Sequence, residues 1–167
     1  MQTIIDTTTW RIDPDRSSVE FRAQHLWGMA TVTGAFTRYH GTLDVSGEPA
    51  AELTIEAASL DTGNRRRDKH LRSPAFFGAE QHPYMRFVSE RAALKGDKLT
   101  VKGRLHVRGQ SVPLEIDAAL RRSGDALELA AVADIDQRRL GMTWSPLAVI
   151  RTPTTLVVKG TLVSDER

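Results

Sequence analysis

Cysteine is absent from this chain of 167 residues. The absence excludes a disulfide framework, a thiol nucleophile and a thiolate metal site, so the fold has to be held by apolar burial alone. Length permits this, because a domain of about 150 residues buries roughly 70% of the surface its unfolded chain exposes. One domain over residues 1–167 is expected. Long hydrophobic runs are missing too. No stretch approaches the roughly 20 apolar residues of a membrane span, and the N-terminal MQTIIDTTTW offers only Ile4 and Ile5 before polar threonines, without the apolar core of a secretory signal. A cytoplasmic protein without stable membrane insertion is expected.

An excess of one charge is also lacking: 23 basic residues face 21 acidic ones, a net charge of +2, and aromatics make up 6%. A general nucleic-acid binder spreads positive charge along a face and interleaves aromatic rings for stacking. This chain does neither, and no nucleic-acid partner is expected. The basicity is local instead. Arg65, Arg66, Arg67, Lys69 and Arg72 stand against Asp68 alone in the segment Asn64 to Ser73.

Catalytic signatures are scarce. His25, His40, His70, His82 and His106 show no HxH or HExxH spacing, so no metal is expected. There is no G-x-S-x-G elbow, no G-x-G-x-x-G and no G-x-x-x-x-G-K-S/T phosphate loop. Asp68 and His70, two apart on a helix, diverge. Asp134 and Asp136 fall on the polar parity of a strand.

What the chain has is alternation. Leu99, Val101, Leu105 and Val107 share one parity, and Lys98, Lys102, Arg104 and His106 share the other, as a half-buried antiparallel strand requires. Val112, Leu114, Ile116, Ala118 and Leu120 continue the rule after a loop read as Arg108-Gly109-Gln110. Leu127, Leu129, Ala131, Ala133 and Ile135 follow it, as do Val19, Phe21 and Ala23, and Leu53, Ile55 and Ala57. Further strands begin at Met85 and run from Leu156 to Leu162. The eight or nine strands, many of about ten residues, are longer than the usual five or six. Long antiparallel strands favour closure, which removes exposed edges. The expected class is all-β: an eight-stranded antiparallel barrel, with a sandwich as the alternative.

One segment departs from the pattern. Gly63 permits a tight turn, Asn64 or Thr62 can cap a helix, Arg65 to Arg72 are good helix formers, and Pro74 forces Ser73 out of helical geometry. The spacing predicts one short helix in a strand connection, with Leu71 joining Phe76 and Phe77 on an apolar underside and the basic residues outward. Its arginines read as a solvated or ion-paired face, or as a clamp for a phosphate or carboxylate.

An eight-stranded barrel either fills with side chains or encloses a channel. Small residues recur on the inward parities (Ala23, Ala57, Ala118, Ala131, Ala133), beside candidate walls Phe21, Phe36, Met85, Phe87, Met142 and Trp144. His25 shares the parity of Val19, Phe21 and Ala23. It reads either as a satisfied polar group near the barrel mouth or as a hydrogen-bonding partner for a ligand.

Over roughly residues 10–163 the chain resembles the YceI-like family of lipocalin-like barrels. The resemblance rests on WRIDPDRSSVEF at residues 10–21, His25-Leu26, Gly34-Ala35-Phe36, the block Ala58-Ser59-Leu60-Asp61-Thr62-Gly63-Asn64, then Arg67-Asp68-Lys69-His70-Leu71-Arg72-Ser73, Phe76-Phe77, His82-Pro83 and Phe87. Ala75 and Gly78 stand where the family tends to place acidic residues, and Arg16 where it tends to have histidine. The resemblance implies a cavity for a long isoprenoid tail, with the short helix beside it as a cap. The implied function is non-enzymatic binding, carriage or storage of a polyisoprenoid lipid of quinone or prenyl phosphate type. That lipid would be a ligand, with no cofactor. Candidate contacts are Phe21, Phe36, Ile55, Met85, Phe87, Leu105, Leu114, Ile116 and Leu129 as walls, Phe76 and Phe77 as seals, and His25 and Arg67 as polar partners. The alternative is a small-molecule enzyme using His25 inside the same barrel, and a homodimer is possible.

Overall fold

The computed structural model describes residues 9–25, 30–136, 139 and 154–165, without the side chains of residues 24, 25 and 30–32. Eleven strand segments and one α-helix follow one another: β1 (Thr9–Ile12), β2 (Ser18–His25), β3 (Ala30–Phe36), β4 (Tyr39–Asp44), β5 (Ala50–Glu56), β6 (Leu60–Asp61), α1 (Arg65–Arg72), β7 (Tyr84–Lys95), β8 (Lys98–Val107), β9 (Gln110–Ser123), β10 (Ala126–Ile135) and β11 (Thr154–Ser164). The alternation read from the sequence is the alternation of burial. In β8, Leu99, Val101, Leu105 and Val107 are buried, and Lys98, Lys102 and His106 are exposed.

The segments close into a ring of eight antiparallel strands, because three of the ring's members are broken strands. β1 and β2 flank a 3-10 turn at Pro14–Arg16, and both pair with β11, through Ile12 opposite Leu162 and Val19 opposite Val158. β4 pairs with β1 and β3 with β2, so these two form the second member. β5 pairs with β4 and β6 with β3, forming the third across a 3-10 turn at Ala57–Ser59. β7 to β11 complete the circuit. Closure leaves few free ladder edges, the reason long strands favour it.

The breaks have local causes. Pro14 fixes its own φ and has no N–H to donate, and Asp13 caps the turn by accepting from the Asp15 N–H at 3.0 Å and from Arg16 Nε at 2.8 Å. At the other break the buried Ser59 hydroxyl donates to the Glu56 carbonyl at 2.7 Å and accepts from the Thr37 N–H at 3.1 Å, which joins the second and third members where their ladder is interrupted.

One expectation is refined. Gln110 is not part of the loop: it opens β9 opposite Val107, and the turn is Arg108-Gly109, with φ of 57° and 72°. Positive φ at both central positions gives the hairpin twist that strands prefer. Pro113, inside β9, sits beyond the point where the β9–β10 ladder stops, at Asp117 opposite Val132. A proline is tolerated in a strand where a ladder partner is missing.

The hairpin turns at 45–49, 96–97 and 124–125 lie at one end of the barrel. The connection 62–83, which contains α1, and the turn 108–109 lie at the other. The first end is filled by Trp10, opposite Leu43, and by Leu120, Leu127 and Leu162, all at most 4% exposed.

Candidate functional site

The cap is built by its own sequence. Asn64 accepts from the Arg67 N–H at 3.0 Å and starts α1, and Ser73, held extended before Pro74, ends it. Leu71 and Phe76 are buried on the underside, as the spacing predicts. Asp68 is buried as well, and its carboxylate accepts from both the N–H and the hydroxyl of Thr62, at 2.9 and 2.5 Å. A buried carboxylate needs such partners.

Two of the arginines expected to face outward turn back onto the chain. Arg67 donates from Nε to the Thr62 hydroxyl and from Nη2 to the Thr62 carbonyl, both at 2.9 Å. Arg72 donates to the carbonyls of Ala58 and Leu60, at 3.0 and 2.5 Å. The guanidinium fork suits this, because it can satisfy two acceptors that a helix end and a strand end leave open. A third tie comes from the hairpin turn, where Arg108 Nη2 donates to the Pro74 carbonyl at 2.9 Å. The cap is therefore fastened to β6 and to the β8–β9 turn by arginine-to-carbonyl bonds.

Beneath the cap the barrel is hollow in two places. The larger cavity, about 110 Å³, lies toward the closed end, and its walls include Ile12, Leu43, Leu53, Ile55, Met85, Phe87, Leu99, Val101, Leu105, Leu114, Ile116, Ala118, Leu129, Ala131 and Leu162. Glu52 and Arg86 also touch it, but their charged ends are exposed and pair outside the barrel at 2.9 Å. The smaller cavity, about 70 Å³, lies under the cap between Phe21, Phe36, Phe77, Val107, Ile135 and Thr154. Ile55, Met85, Leu105 and Leu156 line both, so they form the constriction between the two.

An aromatic trio closes the smaller cavity. Phe21 of β2 and Phe36 of β3 lie 5.3 Å apart between centroids, and Phe77 meets them at 6.4 and 5.8 Å, edge-on. Phe77 is half-buried, and the two strand phenylalanines are buried. The Phe21 ring occupies the place a Cβ on Gly34 would take, as the Phe87 ring does at Gly103. Glycine at these positions lets a ring lie flat against the opposing strand.

Of the residues singled out by sequence, Ile55, Met85, Phe87, Leu105, Leu114, Ile116 and Leu129 come together around the larger cavity, and Phe21, Phe36 and Phe77 join at the smaller. Phe76 packs against His70, centroids 4.9 Å apart, away from both. Arg67 lines neither. The His25 side chain, Met142 and Trp144 lie outside the described residues. Among the small residues, Ala118 and Ala131 line the larger cavity, whereas Ala57 is fully buried within its 3-10 turn. Sequence reasoning left out Leu53, Leu156 and Leu162. The inward parity of β5 and β11 carries that signal.

Among the described residues, no group of histidines and carboxylates could hold a metal ion, and no helix is long and apolar enough to cross a membrane. The arrangement can enclose an apolar guest, and among the described residues it offers that guest no buried charge inside.

Comparison with known proteins places this geometry. The YceI-like domain model matches residues 10–165. Protein YceI of Escherichia coli O157:H7 is 35% identical over 122 residues, 70% of this chain and 63% of that protein. A UPF0312 protein of Pectobacterium atrosepticum is 36% identical over 111 residues, 64% of this chain and 57% of its own length. The chain thus spans 57–63% of the length of these curated relatives. Among solved structures, Burkholderia cenocepacia BcnA superposes with a TM-score of 0.77 at 19% identity, covering 91% of this chain and 99% of that one. A polyisoprenoid binding domain from Saccharophagus degradans, implicated in plant cell wall breakdown, does so at 0.72 and 14% identity, covering 94% and 99%. At such identities the likeness is one of fold.

Proposed function

The chain belongs to the YceI-like family, and from that premise we propose that it binds a polyisoprenoid lipid, of quinone or prenyl phosphate type, with the tail in the barrel interior. It carries or stores that lipid and catalyses no reaction on it. The observation that supports this most is the pair of adjoining cavities walled by aliphatic and aromatic side chains, with Ile55, Met85, Leu105 and Leu156 shared between them. Polar groups of the strands are spent in the ladder, so a guest there meets carbon.

The size of the voids sets how the tail enters. An apolar cavity of about 150 Å³ stays dry and takes one benzene ring, so the 110 Å³ cavity takes about one isoprene unit as it stands. A longer tail must open the neck. Met85 suits that place, because an unbranched thioether chain changes shape at low cost. Each isoprene unit brings five carbons, worth about 4 kcal/mol gross at about 0.8 kcal/mol per buried carbon. Ordering the tail and displacing side chains consumes part of this.

The test is solvent extraction of freshly purified protein followed by mass spectrometry. A prenyl lipid is expected in the extract, and it should be diminished for Ala131→Phe, which fills the larger cavity. Recovery of no prenyl lipid from native cells would remove the reading. The enzymatic alternative requires consumption of a substrate that His25→Ala abolishes.

A further inference from the structure

The outer face of α1 is charged in a way the barrel walls are not. On the walls, four arginines find carboxylates, Arg38 with Glu56 at 2.7 Å, Arg86 with Glu52 at 2.9 Å, Arg91 with Glu48 at 3.4 Å, and Arg121 with Glu128, while Arg104 turns to the Ser111 hydroxyl. On α1, at 100° per residue, Asp68 and Leu71 point inward and Arg65, Arg66 and Lys69 point outward, while His70 lies against Phe76. Arg65, Arg66 and Lys69 are exposed, and none of them has a carboxylate partner among the described residues. The helix's own acid cannot serve them, since Asp68 is turned inward onto Thr62. Asp61 lines the same surface recess as Arg65 and Lys69, but its carboxylate accepts from the Gly63 N–H and forms no ion pair with them.

Position matters as much as charge. The same segment supplies Phe77 to the smaller cavity, so these cations belong to the capped end of the barrel, where Arg65 and Lys69 face a surface recess beside β6. Lys95 and Lys98, by contrast, flank the turn at the opposite end.

We propose that the outer face of α1, through Arg65, Arg66 and Lys69, docks the capped end of the barrel on an anionic lipid bilayer. The occupant is the bilayer surface itself. Unpaired cations on one face of a short helix complement a plane of phosphate headgroups, which requires no base-sized pockets or stacking rings. The contact is peripheral: the outward face has no apolar side chain to insert, so it is electrostatic and sensitive to salt. Its use rests on the lipid-binding reading, because docking there brings the cavity mouth to the phase in which a prenyl lipid dissolves. The docking stands or falls separately.

The experiment is co-sedimentation of the full chain with vesicles of phosphatidylcholine, alone or mixed with phosphatidylglycerol, at about 0.01 M and about 0.15 M salt. The wild type should pellet with the mixed vesicles at low salt, less at high salt, and not with phosphatidylcholine alone. Each basic residue near such a surface strengthens binding about fivefold, so Arg65→Gln/Arg66→Gln/Lys69→Gln should weaken it about a hundredfold. Arg65→Lys/Arg66→Lys should retain it. Lys95→Gln/Lys98→Gln/Lys102→Gln removes the same charge from the far end and side of the barrel and should also retain it. Equal loss in this control, undiminished binding of the helix variant, or equal pelleting with neutral vesicles would overturn the proposal. So would tight binding to a duplex oligonucleotide without vesicle binding. Recovery of a prenyl lipid by extraction from a protein that ignores anionic vesicles leaves the function and removes the docking; vesicle binding with no extractable lipid does the reverse.

Discussion

The two ends of the barrel are closed by different means. At the end of the short hairpin turns, Trp10, Leu43, Leu120, Leu127 and Leu162 come from ladder-paired strands, and moving any of them means breaking a sheet. At the other end, among the described residues, the closure is a separate segment, residues 62–83. It is held by Leu71 and Phe76 underneath, by arginine-to-carbonyl bonds from Arg72 and Arg108, and by the edge-on contacts of Phe77. Such a segment can open with a free energy well below that of global unfolding, because few buried contacts and only a few hydrogen bonds have to be given up. From this difference one end is expected to behave as a floor and the other as a door.

The comparison breaks most visibly if the floor is soft. Trp10→Ala should lower unfolding free energy in urea by about 3–5 kcal/mol, the cost of emptying a buried aromatic site. Phe77→Ala, at a half-buried position, should cost about half as much and speed guest exchange. Equal losses would erase the distinction.

Next in size is a pair of glycine substitutions. A Cβ on Gly103 would collide with the Val88 carbonyl as well as the Phe87 ring, and the backbone cannot yield. Gly103→Ala should therefore cost about 3 kcal/mol, the upper part of the overpacking range. At Gly34 the obstacles are the far end of the Phe21 ring and the Thr62 methyl. If the door can rearrange, Gly34→Ala should cost about 1 kcal/mol. Denaturation midpoints of the two variants measure the contrast directly.

A smaller effect sharpens the hinge side. Arg108→Ala removes the tie to the Pro74 carbonyl and should lower global stability by about 1 kcal/mol. Hydrogen exchange of the Phe76, Phe77, Gly78 and Ala79 amides should accelerate, while that of β8 and β9 stays unchanged. Uniform acceleration would mean that the cap opens only with the whole barrel.

The smallest effect belongs to the turn between β1 and β2. The Arg16 guanidinium and the Asp15 N–H hold the Asp13 carboxyl below its ordinary value of 3.8. A depressed carboxyl pKa contributes stability that is present above 3.8 and is lost as the pH falls through the folded value. Thermal melts from about pH 5 to about pH 3 should show a drop that Asp13→Asn lacks. The site is exposed, so the difference should be slight.

Much of this was legible in the sequence because it is local. Alternation in β8, β9 and β10 named the inward residues, and Asn64, Ser73 and Pro74 bounded the helix, because face and cap are decided within a few residues. The helical spacing points Arg67 and Arg72 outward, whereas both turn back to satisfy carbonyls of Thr62, Ala58 and Leu60. Those carbonyls become acceptors only once β6 ends where it does. The breaks at Pro14–Arg16 and Ala57–Ser59 were invisible as breaks, since the chain resumes the same barrel strand beyond each.

By itself, then, the order of residues determined which side chains face inward, where α1 starts and stops, and that long strands would be better closed than open. Tertiary structure alone decided how far apart the inward faces stand. It placed Met85, Ile55, Leu105 and Leu156 at a neck with a cavity on either side. Periodicity fixes the direction of a side chain along its own strand. The space in front of it depends on what the opposite wall, dozens of residues away, brings to meet it.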